Sequence, residues 1–194
     1  MTVHLQKIKQ AIQQISPLPQ DEWEAFSSKL AVKHYKKGAF LISQGQVENF
    51  IYFLNSGATR NYFLHDGKEF TVDFQFECDF VTAYYSFITR EPSSVTIELL
   101  EDTEAVAISH ADLQNFYRSF HNGERTGRLI AEYQYTKRLR KEMDLLSLTA
   151  EERYANLMQR NPRLVQEISV KHLSSFLGIQ PESLSRIRKA FARN

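Results

Sequence analysis

The segment from Gly38 to Ser109 constrains the fold most, because short runs of Phe, Tyr, Ile, Val and Thr alternate there with turn residues. Regularly spaced short strands separated by Gly, Asn or Asp turns predict an antiparallel sandwich or barrel. Asp66-Gly67 is the clearest turn, since both residues tolerate the positive φ angles of a tight hairpin. The predicted strands are Phe40–Ser43, Phe50–Leu54, Thr59–Leu64, Phe70–Phe76, Val95–Leu99 and Ala105–Ile108.

Helical patterns flank this segment on both sides, so the chain is predicted to belong to the α+β class. Before it, apolar residues at helical spacing predict a helix over residues 5–15 and, after two prolines, a second helix over Asp21–Ala31. After it, Ser109 can cap a helix that runs to Phe120. The residues His121-Asn122-Gly123 are then predicted to interrupt the helical run.

The charge distribution and the composition limit the classes of function that the chain can have. The net charge of the 194 residues is only +1, but residues 1–119 carry 10 Lys/Arg against 15 Asp/Glu, whereas residues 169–194 carry 5 against 1. A basic end suits phosphate groups, although a short basic segment taken alone is also typical of a solvated surface. The single Cys78 excludes a disulfide framework and is predicted to be a buried, inert thiol. No stretch approaches the roughly 20 apolar residues of a membrane helix, so we expect a cytoplasmic protein without a membrane partner.

A long charged helix is predicted from about Glu124 to Leu146, with an imperfect heptad stripe of apolar residues. This stripe can pack on its own domain or pair with a second copy of the chain, and the sequence pattern favours neither. Thr149 and Glu152 then have the spacing of a capping box, which predicts the start of another helix.

The strongest motif is a pair of short helices between Ser169 and Phe191. Ser169 is a natural N-cap, Gly178 allows a sharp turn, and Pro181 suits the first position of the second helix. A helix-turn-helix with a polar, basic second helix delivers side chains to the base edges of DNA. The spacing alone also fits an ordinary helical hairpin. The residues predicted to face inward are Leu173, Phe176, Leu177, Ile179, Leu184, Ile187 and Phe191.

The second helix carries donors and acceptors that match DNA. Arg186 can donate to O6 and N7 of guanine, and Glu182 can accept from the amino group of cytosine. Ser183 and Ser185 can reach a base or a phosphate. The competing interpretation is an ion pair between Glu182 and Arg186, one helical turn apart. The predicted phosphate contacts, which position the protein without reading sequence, are Lys171, His172, Arg188, Lys189 and Arg193.

The segment from Pro181 to Lys189 resembles the recognition helix of the Crp/Fnr family of bacterial transcription regulators. Glu182, Ser185 and Arg186 match the Glu-x-x-Ser-Arg motif with which the Fnr branch contacts bases. The stretch from Gly45 to Gly57 resembles the part of the family's β-roll in which two glycines bracket a strand. Asp66-Gly-Lys-Glu is similar to the hairpin turn that follows, and the long helix is similar to the dimerisation helix. The resemblance covers nearly the whole chain in the right order.

The resemblance implies a jelly-roll-type, cyclic-nucleotide-binding-like β-roll over residues 1–122, a dimerisation helix over 123–147 and a helix-turn-helix domain over 148–194. It implies a homodimer that binds a palindromic operator, contacts RNA polymerase and regulates transcription. The family usually continues into a β-hairpin wing, whereas only three residues follow Phe191 here. We therefore expect fewer phosphate contacts and a shallower salt dependence. The residues that the resemblance assigns to the dimer helix are Ile130, Tyr133, Lys137 and Arg140.

The residues expected to bind a cyclic nucleotide depart from the family pattern. Members that bind cyclic AMP carry a Gly-Glu pair for the ribose and an Arg-Ser or Arg-Thr pair for the cyclic phosphate. Here the first region reads Phe76-Glu-Cys-Asp-Phe80, without the glycine, and Ser93 stands where the arginine should be. Without a guanidinium the phosphate loses charge-assisted hydrogen bonds, so cyclic AMP is not expected to be a strong ligand.

The resemblance also raises the question of the other cofactors that sensors of this family bind. One cysteine excludes the iron–sulfur version of the sensor, and the six histidines are interpreted as surface or core residues rather than haem ligands. The cofactor therefore stays unknown. An effector pocket, where one exists, is expected between the roll and the long helix. Its alternative is an aromatic core that fills the same space. The candidate lining residues are Phe76, Tyr84, Ser93, Ser94, Tyr133 and Thr136.

Two other functional classes compete with a DNA-binding regulator. One is a β-roll that senses a ligand or binds a protein, with the helical tail docking a protein partner; the arginine-bearing helix favours DNA over this alternative. The other is an enzyme, but the sequence has no Ser-His-acid order, no metal-spaced His/Cys cluster and no glycine-rich phosphate loop. The acidic run from Glu98 to Glu104 is typical of a solvated turn. We therefore expect neither catalysis nor a metal site.

Overall fold

A computed structural model describes residues 3–192 of the chain. These residues form two compact units. The first extends to Asn61 and resumes over Phe74–Gln134, and the second comprises Tyr62–Asp73 and the described residues from Tyr135 onward. The division falls inside the long helix and places the tip of one β-hairpin with the C-terminal helices. It therefore differs from the boundaries after residues 122 and 147, which stay a prediction.

The elements confirm the α+β class and the antiparallel β-roll. A 3-10 turn, Val3–Leu5, precedes the first helix. The strands are β1 Ala31–Tyr35, β2 Phe40–Ile42, β3 Phe50–Ser56, β4 Ala58–His65, β5 Lys68–Phe76, β6 Phe80–Val81, β7 Thr96–Leu99 and β8 Thr103–Ser109. The helices are α1 Gln6–Ile15, α2 Gln20–Ser27, α3 Tyr84–Thr89, α4 His110–Ser119, α5 His121–Ser147, α6 Ala150–Arg160, α7 Pro162–Glu167, α8 Val170–Leu177 and α9 Pro181–Phe191.

The strands form two sheets with the orders β1-β8-β3-β6 and β2-β7-β4-β5. Neighbours in each sheet are mostly distant in sequence, so the chain crosses repeatedly from one sheet to the other, as it does in a roll. The register pairs Val32 with Val106 and Tyr52 with Ala107. β5 ends its sheet, which leaves its outer edge without a neighbouring strand.

Alternation along β3 and β8 separates two apolar clusters in the first unit. Phe53, Val106 and Ile108 pack against helices α1, α2 and α4, where Trp23 and Phe116 are buried. The intervening residues face the opposite way and pack between the two sheets. This inner cluster consists of Tyr52, Leu54, Ala105 and Ala107 from one sheet and Ile42 and Ile97 from the other, with Val81 and Ala83 beside them.

Three sequence-based expectations about local structure are wrong. Helix α2 ends at Ser27 and Ala31 begins strand β1, which the periodicity did not indicate because its exposure does not alternate regularly. Gly123 does not interrupt the helical run; the break is at Phe120, and α5 passes through Gly123. Cys78 is exposed rather than buried, because it lies in the turn between β5 and β6 with φ of 69°.

The hairpin tip and the C-terminal helices of the second unit agree with the sequence signals. Asp66 and Gly67 have φ angles of 49° and 72°, which confirms the tight turn. The capping box is present, with Thr149 and Glu152 each accepting from the backbone amide of the other. The rings of Phe63 and Phe70 stack across the hairpin at 5.1 Å. Of the described helices, none combines the length and apolarity needed to cross a membrane.

Candidate nucleic-acid interface and sensor site

The turn between α8 and α9 has the geometry that the sequence predicted. The Ser169 hydroxyl accepts from the His172 amide at 3.2 Å and caps α8. Gly178 ends that helix with φ of 69° and ψ of 33°, a left-handed conformation in which a side chain is strained. Pro181 is the first residue of α9, where its missing N–H is not needed. These three residues set the angle at which α9 leaves the turn.

One face of α9 is buried and anchors the helix. Leu173 of α8 and Leu184 of α9 are fully buried, and Leu177 and Ile187 lie in the same interior. At the end of α9 the ring of Phe191 contacts that of Tyr154 at 5.3 Å, but Phe191 is 39% exposed, so the prediction that it faces inward is wrong. Burying one large aliphatic side chain contributes about 1.5–3 kcal/mol, so this apolar face holds α9 in one orientation.

The opposite face of α9 exposes the residues predicted to contact bases. Glu182, Ser185 and Arg186 are exposed. The Ser185 hydroxyl donates to the Pro181 carbonyl at 3.0 Å, and Arg186 makes a long contact of 3.3 Å to the Ser183 hydroxyl. Across residues 3–192 no salt bridge joins Glu182 to Arg186, so the competing ion-pair interpretation is not the observed arrangement. Arg186 keeps most of its guanidinium donors for another partner.

The predicted phosphate contacts fall into different environments. Lys171 and Lys189 are exposed, and His172 is partly buried. Arg188 instead donates to the Val165 carbonyl at 2.8 Å, and its Nε atom is buried. The structure thus places Arg188 between α9 and α7, facing the interior of the domain. Arg193 lies outside the described residues.

The hairpin tip contacts α8 and α5 within the second unit, and no pattern in the sequence predicted these contacts. The Ser175 hydroxyl accepts from the Thr71 amide at 2.9 Å and donates to the Glu69 carbonyl at 3.2 Å. The Lys141 ammonium donates to the Val72 carbonyl and lies 3.6 Å from the centre of the Phe176 ring. Burial lowers the pKa of Lys141 to about 8, against the opposing influence of Asp73. Phe176 is therefore only partly an inner-face residue.

In the first unit, the loop between α3 and β7 contains the position where the family pattern calls for an arginine. Ser93 is buried there, and its hydroxyl donates to the Val95 carbonyl at 2.8 Å and accepts from the Val95 amide at 3.1 Å. The backbone of Ser93 also exchanges hydrogen bonds of 2.8 and 2.7 Å with Gly45 and Gln46. Ser93 therefore acts as a turn residue whose hydroxyl is already bonded within its own loop.

The same loop begins with Arg90, whose guanidinium makes hydrogen bonds within the first unit. Arg90 donates to the Glu48 carbonyl and to Oδ1 of Asn49, both at 2.5 Å. The buried Glu48 carboxylate accepts from the amides of Asn49 and Phe50 at 3.0 Å and of Ala83 at 3.3 Å. Burial raises the pKa of Glu48, while these amides oppose that shift. Arg90 is thus held by hydrogen bonds within the first unit, and Ser93 stands at the position of the family's arginine.

The other candidate effector residues differ in their exposure to solvent. Phe76 is buried, whereas Tyr84, Ser94 and Tyr133 are exposed. Thr136 is also exposed and belongs to the second unit. A cleft of about 440 Å³ in the first unit is lined by a different set of residues: Leu41, Ile42, Gln46, Val47, Glu48, Asn49, Phe50 and Tyr52. The predicted effector pocket stays a prediction.

Arg60 carries a buried charge that was not predicted from the sequence. Its side chain is almost fully inaccessible, and Nη1 lies 3.7 Å from the Glu98 carboxylate. An arginine inside the strand run from Ala58 to Phe63 was the available signal. In the described part of the chain, no cluster of three or more His, Cys, Asp or Glu side chains has the arrangement of a metal site.

Comparison with known proteins agrees with this architecture. Residues 32–120 match the cyclic nucleotide-binding domain family. No curated protein matches the sequence at a significant level. A putative transcriptional regulator of the Crp/Fnr family from Eubacterium rectale superposes with a TM-score of 0.71 at 20% identity, over 90% of this chain and 84% of that chain.

Two further solved structures have similar values. The c-di-GMP-responsive global regulator CLP of Xanthomonas campestris has a TM-score of 0.70 and 19% identity, with 90% of this chain and 92% of that chain covered. FixK2 of Bradyrhizobium japonicum has a TM-score of 0.68 and 20% identity, with 84% and 85% covered. Residues 32–120 are thus similar to cyclic nucleotide-binding domains, and the chain has the fold seen in the solved Crp/Fnr regulators. The resemblance noted in the sequence is confirmed at this level.

Proposed function

We propose that the chain is a dimeric, sequence-specific DNA-binding transcription regulator. The observation that carries the proposal is the two-faced helix α9. Its Leu184 and Ile187 are buried, while Glu182, Ser185 and Arg186 are exposed on the other side. The buried face holds the helix in place. The guanidinium and the carboxylate on its exposed face can then form hydrogen bonds with base edges in the major groove.

Each exposed residue has a chemical role in this proposal. Arg186 donates two parallel hydrogen bonds to guanine, and Glu182 accepts from cytosine. Ser183 and Ser185 bind a base edge or a phosphate. Lys171, His172, Lys189 and, outside the described residues, Arg193 contact phosphates. Arg188 is proposed to position α9 rather than to bind DNA, because its guanidinium donates to the Val165 carbonyl.

Exposed apolar residues on α5 support the homodimer. Leu139, Met143 and Leu146 are 41%, 60% and 84% exposed and follow one another at spacings of four and three. Such a stripe on a long helix is stabilised when a second copy covers it. Ile130, Tyr133, Lys137 and Arg140 are proposed to continue that interface along the helix. Two-fold symmetry then requires half-sites about one helical turn, roughly 34 Å, apart in a palindromic operator.

The first unit is proposed to be a sensor that does not bind cyclic AMP strongly. The support is the Ser93 position, where the hydroxyl is bonded to Val95 and a guanidinium is missing. CLP is described as responsive to c-di-GMP. An effector is proposed to contact Phe76, Tyr84, Ser93, Ser94 and Tyr133 of the first unit. RNA polymerase is the proposed partner of the DNA-bound dimer.

Selection of DNA from a random palindrome library, followed by gel-shift titration, tests the proposal. We expect one enriched half-site, and Arg186→Ala should weaken binding to it by about 1–3 kcal/mol while leaving non-specific binding nearly unchanged. Arg118→Ala, on the exposed surface of α4, removes the same charge and should have little effect. Equal binding to all sequences that Arg186→Ala does not alter would contradict the proposal and favour a tail that docks a protein.

A further inference from the structure

The hairpin tip is fastened to the helix-turn-helix by a set of contacts that we call the hairpin latch. It consists of Glu69, Thr71 and Val72 of β5, Lys141 of α5, and Ser175 and Phe176 of α8. β5 is the last strand of its sheet, so its outer edge has no neighbouring strand. The Ser175 hydroxyl bonds the Thr71 amide and the Glu69 carbonyl. An exposed strand edge gains stability from such partners, so the hairpin and α8 stabilise each other.

Lys141 connects the long helix to both of these elements. Its ammonium donates to the Val72 carbonyl of the hairpin and lies over the ring of Phe176, the residue next to Ser175. A partly desolvated cation is attracted to the face of an aromatic ring, so this contact stabilises the arrangement. Three elements of the second unit are therefore joined at one point, and a shift of the hairpin changes the contacts of α8.

The latch places negative charge beside a residue proposed to bind phosphate. Lys171 and Ser175 are four residues apart and share one face of α8. A cleft of about 340 Å³ is lined by Gly67, Lys68 and Glu69 from the hairpin and by Lys171. The tip from Tyr62 to Asp73 contains three acidic residues and one lysine. A phosphate that approaches Lys171 therefore enters a space lined by the hairpin tip, whose net charge is negative and repels it.

We infer that the hairpin latch is an autoinhibitory contact: when closed, it restricts access of DNA phosphates to Lys171, and its release raises the affinity for DNA. This inference rests on the proposed function, because it takes Lys171 as a phosphate contact. According to this inference, the hairpin tip directly affects the helices α8 and α9, which are proposed to bind DNA. A ligand or partner that favours the open hairpin would shift the population toward the DNA-binding state.

The substitution Ser175→Ala tests the latch, because it removes both hydrogen bonds without touching Lys171. The matched control is Ser147→Ala, whose hydroxyl donates to Met143 within α5. Affinity is measured by fluorescence anisotropy on the selected palindrome, in a duplex of about 30 base pairs that holds both half-sites. We expect Ser175→Ala to bind about threefold to tenfold more tightly, as expected when ordinary hydrogen bonds are lost from the closed state. The control should match the wild-type protein.

The salt dependence of DNA affinity is a second measurement. It should not change if the latch contacts only stabilise the fold. Release of Lys171 should steepen the slope of log affinity against log salt by about one per protomer. Lys141→Met breaks the contacts with Val72 and Phe176 from a different element and should act in the same direction. Circular dichroism and thermal melting establish that both variants are folded.

The outcomes separate the two proposals. Folded variants that bind as the wild-type protein does, or more weakly, would overturn the latch while the wild-type preference for one sequence still supports a DNA-binding regulator. A wild-type protein and variants that bind every duplex alike would instead contradict the proposed function. Tighter binding by both Ser175→Ala and Lys141→Met, with steeper salt slopes, supports the latch.

Discussion

A β carbon added to Gly123 would lie 2.2 Å from Cε1 of Phe116, well inside the distance at which non-bonded carbons approach. The same holds one turn later, where a β carbon on Gly127 would lie 2.0 Å from the Tyr117 hydroxyl. Neighbouring residues of α4 thus pack directly on the backbone of α5. The glycine that looked like a helix break in the sequence is required for a close approach between two helices.

Gly123→Ala is therefore expected to destabilise the protein, although alanine is the better helix former. Its methyl group would overlap the Phe116 ring, which is packed in the apolar cluster with Trp23 and Phe26. Overpacking of this kind costs about 1–3 kcal/mol, whereas the gain in helix propensity is at most about 1 kcal/mol. Urea denaturation gives the free energy of unfolding. Arg125→Ala, exposed on the same helix, is the control; a more stable Gly123→Ala protein would show that the contact is not fixed.

Gly178 is required for a different reason. A β carbon there would have ordinary contact with Leu145 at 3.6 Å, so space is available and only the left-handed backbone is unfavourable. Gly178→Ala should lower the free energy of unfolding by about 1–2 kcal/mol. Gly178→Asn should lower it less, because asparagine tolerates this conformation. Thermal melting compares the two variants, and equal losses would point to steric overlap instead of backbone strain.

Cys78 has φ of 69° in an exposed turn, a conformation that glycine adopts without strain. Cys78→Gly is accordingly expected to raise the free energy of unfolding by about 0.5–1 kcal/mol, the reverse of the effect of truncating a core residue. The thiol of the folded wild-type protein should also react with a maleimide at the rate of an accessible thiol. Protection of the thiol, together with a loss of stability in the variant, would indicate that Cys78 is buried.

Arg188 and Lys189 are neighbours with opposite expected phenotypes. Arg188→Ala leaves the Val165 carbonyl without its donor and should destabilise the helix-turn-helix by about 1–3 kcal/mol. Lys189→Ala should leave stability within about 0.5 kcal/mol but reduce the salt slope of DNA binding by about one. Chemical denaturation and salt titration of DNA affinity measure the two effects. Arg188→Ala with wild-type stability and a reduced salt slope would make Arg188 a phosphate contact after all.

Glu48 provides a prediction about pH. Burial raises its pKa in the folded protein above the ordinary value of 4.5, so the folded state binds this proton more tightly than the unfolded state. Its contribution to stability is therefore complete below about pH 4.5 and is lost as pH rises through the folded pKa. Glu48→Gln keeps a carbonyl acceptor for the amides of Asn49 and Phe50 but does not titrate. The difference in unfolding free energy between wild type and variant should change as the pH rises above 4.5, and parallel curves there would contradict the assignment.

The helix caps and turns that the sequence predicted correctly depend on residues that are close together in the chain. Ser169, Gly178 and Thr149 act on their own helix termini through nearby backbone groups, so their roles follow from a few consecutive residues. The order of the strands from Phe40 to Ile108 follows in the same way from short apolar runs and turn residues. The chain-wide resemblance added the roll and the helix-turn-helix, which spacing alone did not distinguish from a sandwich and a helical hairpin.

Contacts distant in sequence account for what was missed. Ser175 and Thr71 are separated by 104 residues, and nothing in the pattern around Ser175 indicates a strand edge as its partner. Lys141 looks like one charge among many in α5 until the structure places Val72 and Phe176 around it. The sequence likewise grouped Arg188 with Lys189, because a one-dimensional pattern does not show which of two adjacent cations turns inward.

The loop at Ser93 is held together by its own hydrogen bonds. The hydroxyl of Ser93 bonds both backbone groups of Val95, and its own backbone is bonded to Gly45 and Gln46. A Ser93→Arg replacement would supply a cation but would remove the side chain that shapes the turn. We therefore expect a cation at this position to be compatible with the loop only if neighbouring residues of the turn change as well.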